Sequence, residues 1–79
     1  MNKNEFNNYN VKTRILIIKE YCNRNMMKLL KVSSVDNVIK VLDLYDFKEK
    51  EFNYNDFINE VVEYFKNYFD AAEILGLLI

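Results

Sequence analysis

The stretch MMKLLKVSSVDNVIKVLDLYD, residues 26–46, decides the architecture. Two serines divide it. Before them, Met26 and Leu29 continue an apolar stripe that starts at Val11 and passes through Ile15, Ile18 and Cys22. The spacings of three and four are those of one helix face. Leu16, Met27 and Leu30 widen the stripe, while Arg24, Lys28 and Lys31 take the opposite side. The spacing predicts a helix over 11–31, with a short strand at the β-prone Arg14–Ile18 run as the alternative. After the serines, Val35, Val38, Ile39, Leu42 and Tyr45 follow at helical spacing. Ser33 and Ser34 are both good N-caps, so a second helix is expected over 34–46.

Outward from this stretch, Lys48 to Glu51 is charged and reads as a connection. Asn53 or Asn55 caps a third helix, expected over 55–78, with Asp56 near its positive end. Phe57, Val61, Tyr64, Phe65, Tyr68, Ala72 and Leu75 form its apolar stripe. The chain holds no proline and a single glycine, Gly76. Turns draw on both, so their scarcity favours long helices over strands. The expectation is an all-α fold: one domain over 1–79, a compact three-helix bundle with short connections. Its core should hold Ile15, Ile18, Cys22, Leu29, Val38, Leu42, Val61, Phe65 and Tyr68. The polar segment 1–10 is expected to be flexible, with Phe6 and Tyr9 free to fold back.

The residues that are missing bound the chemistry. There is no histidine, and Cys22 is the lone cysteine. One cysteine makes neither an intrachain disulfide nor a zinc site, and no Cys–His pair exists. Cys22 sits on the apolar stripe, where an inert buried thiol is expected. No glycine-rich phosphate loop is present. Residues 42–61 share helix–loop–helix patterning with an EF-hand. The ligand positions fail, with Lys50 where the turn needs glycine and Asp56 where a bidentate Glu belongs. No enzymatic activity, cofactor or metal is expected. The first ten residues do not resemble a signal peptide, and no apolar run reaches the roughly 20 residues of a membrane span. A cytoplasmic, intracellular protein is therefore expected. Asn, Lys, Ile, Tyr and Phe make up 40 of 79 residues, all with AT-rich codons. That bias suits a phage, a mobile element or a low-GC bacterium.

Two features suggest binding to another protein chain. The tail Ile74-Leu75-Gly76-Leu77-Leu78-Ile79 is aliphatic where chain ends are usually polar. It packs either into its own core or against a partner. The charge is also divided: residues 1–32 carry a net +5 and residues 33–79 a net −6. Glu60, Glu63, Asp70 and Glu73 share one broad side of the third helix, beside Tyr64 and Tyr68. Such a face suits docking on a basic surface. The expected function is a non-enzymatic adaptor or inhibitor that binds another protein, itself, or both. The candidate contact residues are Glu60, Glu63, Tyr64, Tyr68, Asp70, Glu73, Ile74, Leu77, Leu78 and Ile79. A homodimer through the third helix and the tail is the first form of this reading. The alternative is a DNA-binding regulator using Arg14, Arg24, Lys28 and Lys31 on the basic first helix. The slightly acidic whole counts against it, because acidic residues repel phosphate.

Overall fold

A computed structural model describes residues 1–68, with side chains through 66. The order of elements is α1 (Lys3–Asn8), α2 (Val11–Arg24), β1 (Met27–Ser33), β2 (Val38–Asp43), β3 (Lys48–Asn53) and α3 (Tyr54–Tyr68). The three strands form an antiparallel meander in the order β1-β2-β3. The all-α bundle expected from the spacing is therefore wrong, and the fold is α+β. The first expected helix stops at Arg24, the second is a strand, and the charged connection is a strand as well.

Each error has a local physical cause. In β1, Met27, Leu29 and Val32 pack toward the core. A bulge between Leu29 and Lys31 inserts one residue into the ladder. The inward spacing becomes two then three, which imitates a helix. In β2, Ile39 and Val41 are fully buried, while Val38 and Leu42 lie half-buried on the other face. Two apolar faces of one strand thus supplied the helical spacing. Val35, its first expected member, is 94% exposed in the β1–β2 turn. The Ser33 hydroxyl does accept the N–H of Asp36 at 3.0 Å, as an N-cap would, but here it closes a turn. β3 is an edge strand whose alternating Lys and Glu discourage further pairing. It has no apolar face to recognise.

The helices follow the sequence more closely. Asn10 caps α2 by accepting the N–H of Thr13 at 2.8 Å. The helix ends at Asn25 and Met26, the latter at φ 55, and Met26 O then accepts the N–H of Leu44. Asn53 caps α3, accepting the N–H of Asp56 at 3.1 Å. Residues 3–8, expected to be flexible, form α1, and Phe6 is fully buried.

All three helices lie on one face of the sheet. Ile17, Ile18 and Cys22 of α2 and Phe57, Ile58, Val61 and Phe65 of α3 close over Ile39 and Val41. Of the expected core, Ile18, Cys22, Val61 and Phe65 are buried. Leu29, Val38 and Leu42 are half-buried, and Ile15 is exposed. The Tyr68 side chain lies outside the described residues. The other sheet face carries Lys28, Lys31 and Lys40 toward β1 and Glu49 and Glu51 on β3.

The two turns share one form, with four residues between paired strand ends and a left-handed fourth residue, Asn37 at φ 58 and Phe47 at φ 56. Asparagine tolerates that conformation; phenylalanine does so at a cost. Asp43 anchors the second turn. Its carboxylate accepts the N–H of Tyr45 at 2.8 Å and the Lys50 ammonium at 2.6 Å.

Phe6→Ala should destabilise the domain by about 3–5 kcal/mol in urea unfolding, because a fully buried ring is replaced by a cavity. A loss near zero would show that α1 does not belong to the folded unit. Asp43 supplies a pH test. The hydrogen bond from Lys50, then that from Tyr45, holds its pKa below the ordinary value. A depressed folded pKa gives stability that is complete above the unfolded value of about 3.9 and is lost as pH falls through the folded one. Asp43→Asn should therefore lower stability near neutral pH, with the gap closing below about pH 4.

Candidate partner-binding groove

Where α2, β3 and the start of α3 meet, the described surface holds an open groove of about 550 Å³. Tyr21, Phe52 and Phe57 form its aromatic floor, and Glu51, Asp56 and Glu60 its rim. Phe57 of α3 is buried, and Tyr21 of α2 packs against it. The two rings meet edge to face, 5.4 Å apart at 86°. Phe52, the last apolar residue of β3, reaches Phe57 at 5.4 Å. Tyr21 also stands edge to face on Tyr64 at 5.4 Å. These contacts hold the floor rigid without closing it.

The rim is negative and no basic residue lines the groove. Glu51 faces Lys40 across the sheet at 3.8 Å. Among the described residues, Asp56 and Glu60 have no ion-pair partner. Burial, with a smaller effect from the Glu60 carboxylate, pushes the Tyr21 phenol above its ordinary pKa. Tyr21 therefore stays neutral and offers a hydroxyl and a ring face.

The expected contact residues divide. Glu60 lines the groove, and Tyr64 supports it through Tyr21 while packing on Phe65 at 5.1 Å. Glu63 lies elsewhere, in a cleft between α3 and the start of α1 with Met1 and Lys3. Asp70, Glu73, Ile74, Leu77, Leu78, Ile79 and the Tyr68 side chain lie outside the described residues. Tyr21, Phe52 and Phe57 are the groove residues that the sequence reading missed. Phe57 is legible in the sequence only as a member of the apolar stripe of the third helix, and no signal in the sequence brings Phe52 beside Tyr21.

The basic residues of the DNA-binding alternative do not share one surface. Arg24 binds Glu20 at 2.8 Å and lies 5.7 Å above the Phe65 ring. The Glu20 hydrogen bond raises its pKa. Lys28 and Lys31 stand on the outer sheet face, with Lys31 opposite Lys40. Arg14 is ten residues from Arg24 along α2, about 15 Å at helical rise, where it lines a separate small cavity.

Among the described residues, no three His, Cys, Asp or Glu side chains come together as a metal site. No described helix is long and apolar enough to cross a membrane. Comparison with protein-family models, curated proteins and solved structures finds no match.

Cys22 is fully buried, and burial pushes its thiol up to about 11. Near pH 8 it is both protonated and covered, so alkylation by iodoacetamide should require unfolding. Rapid labelling of the folded protein would contradict this placement.

Proposed function

We propose that this chain is a non-enzymatic protein-binding module that docks a lysine- or arginine-bearing segment of a partner protein in the aromatic groove. One observation carries the reading: an aromatic floor lies beneath Asp56 and Glu60, which have no ion-pair partner among the described residues. A cation above an aromatic face gains about 0.5–2 kcal/mol, more as water is excluded. The rim adds attraction that salt screens. The volume suits one or two side chains of an extended segment rather than a whole domain face.

A partner other than this chain fits the groove better than a second copy. A two-fold contact through the groove would set Asp56 and Glu60 against themselves. Self-association through the tail concerns residues outside those described.

The division between Glu60 and Glu63 makes the reading testable. A lysine- and arginine-rich peptide should bind in fluorescence anisotropy, more weakly as salt rises. Glu60→Lys should weaken it by about tenfold, a loss of about 1.4 kcal/mol, and Glu63→Lys should change it little. Equal losses from the two substitutions, or no binding of the peptide, would overturn the proposal.

A further inference from the structure

β3 closes one side of the sheet, and among the described residues no strand pairs with its outer edge. All six of its residues are exposed. The register fixes which backbone groups that edge presents. The N–H of Tyr54 donates to Asn37 O at 3.1 Å, so Asn37 and Tyr54 are a hydrogen-bonded pair. They extend the ladder that pairs Ile39 with Phe52 and Asp43 with Lys48. Hydrogen-bonded pairs alternate along an antiparallel ladder, so Lys48, Lys50 and Phe52 turn their N–H and C=O groups toward β2. Glu49 and Glu51 turn theirs outward, where a further strand could take them.

The side chains sort by face with the same period. Glu49 and Glu51 share the outer face with Leu42 and Lys40, and Phe52 shares the inner face with the buried Ile39. Phe52 belongs to the aromatic floor, so edge and groove are continuous. A strand added about 4.8 Å outside β3 sets its residue opposite Phe52 on the groove side, toward the exposed Asp56 and Glu60. Its residues opposite Glu51 and Glu49 lie on the outer face, each against a carboxylate. Glu51 meets Lys40 only at 3.8 Å and in solvent, which leaves it open to a second cation. A second copy fits this edge badly. Two β3 strands related by a two-fold axis pair residues of the same face, which sets Glu against Glu and Lys against Lys. The charges that discourage pairing in general thus admit a strand of opposite sign.

We propose that the partner segment adds to β3 as an antiparallel fourth strand with the pattern Lys-Lys-x-Lys, or its arginine equivalents. The inference rests on the groove reading and supplies the backbone half of the recognition. The first cation enters the groove over Phe52 and Tyr21 toward Asp56 and Glu60. The second and fourth lie opposite Glu51 and Glu49, pairing with their carboxylates and exchanging main-chain hydrogen bonds with them. The third residue lies opposite Lys50 and is not basic.

Three forms of one peptide, Lys-Lys-Thr-Lys flanked by threonines, test this in fluorescence anisotropy with the full chain. One is unmodified, one is N-methylated at the second and fourth residues of the run, and one at the first and third. In the proposed register the second and fourth N–H groups donate to the Glu51 and Glu49 carbonyls, and the first and third point to solvent. Methylation at the second and fourth should weaken binding at least about tenfold, and at the first and third less than about threefold. By NMR, the Glu49 and Glu51 amides should gain protection from hydrogen exchange when the unmodified peptide binds. If that peptide binds and Glu60→Lys weakens it, but the two methylated forms bind alike or the two amides stay unprotected, strand addition is overturned and the groove reading stands. If no form binds, the groove reading fails and strand addition fails with it.

Discussion

Burial of Ile39 and Val41 beneath α2 and α3 is the constraint on which the rest depends. A small sheet with one apolar face must bury that face against another layer. It needs a cover, and the cover needs the sheet. Ile17, Ile18 and Cys22 of α2, Phe57, Ile58, Val61 and Phe65 of α3 and Phe6 of α1 join Ile39 and Val41 in one buried cluster. In so short a chain, only about 60–65% of the unfolded surface is buried, so each core side chain counts. The groove is a by-product of this closure, because it forms where α2, β3 and the start of α3 meet without filling the space between them.

The charge division of the sequence acquires a different meaning in three dimensions. Its basic first third does not become one basic surface. Arg24 is consumed by Glu20 and the Phe65 ring, Lys28 and Lys31 face away from the helices, and Arg14 lines a separate small cavity. The acidic remainder is also dispersed. Asp43 and Asp46 meet Lys50 in the second turn, and Glu51 meets Lys40. Asp56 and Glu60, without an ion pair among the described residues, lie beside Tyr21 and Phe57, and that pairing of charge with aromatic surface distinguishes the groove from an ordinary solvated helix.

The second turn shows a local preference overruled. Phe47 is 75% exposed and holds a left-handed conformation that asparagine occupies in the equivalent turn. The turn is maintained by Asp43 and Asp46, whose carboxylates accept the N–H groups of Tyr45 and Lys48. These hydrogen bonds, with the ladder on either side, offset the unfavourable backbone of Phe47.

The sequence by itself determined the features that depend on neighbours within a turn or two. These are the start of α2 at Val11, the described part of the apolar stripe of α3 with Asn53 as one of its two candidate caps, and the burial of Cys22 on its helix. Each rests on hydrogen bonds or periodicity within about four residues. Residues 27–53 were beyond that reach. Their apolar spacing fits a helix or a bulged, two-faced strand equally well, and Ser33 makes the same short hydrogen bond in either. Only pairing partners distant in sequence, Ile39 with Val32 and Phe52, decide between them. Tertiary structure likewise decided which acidic residue matters. Glu60 and Glu63 are three positions apart on one helix. Only the layer packed against that helix puts the first over aromatic rings and the second beside the amino-terminal residues.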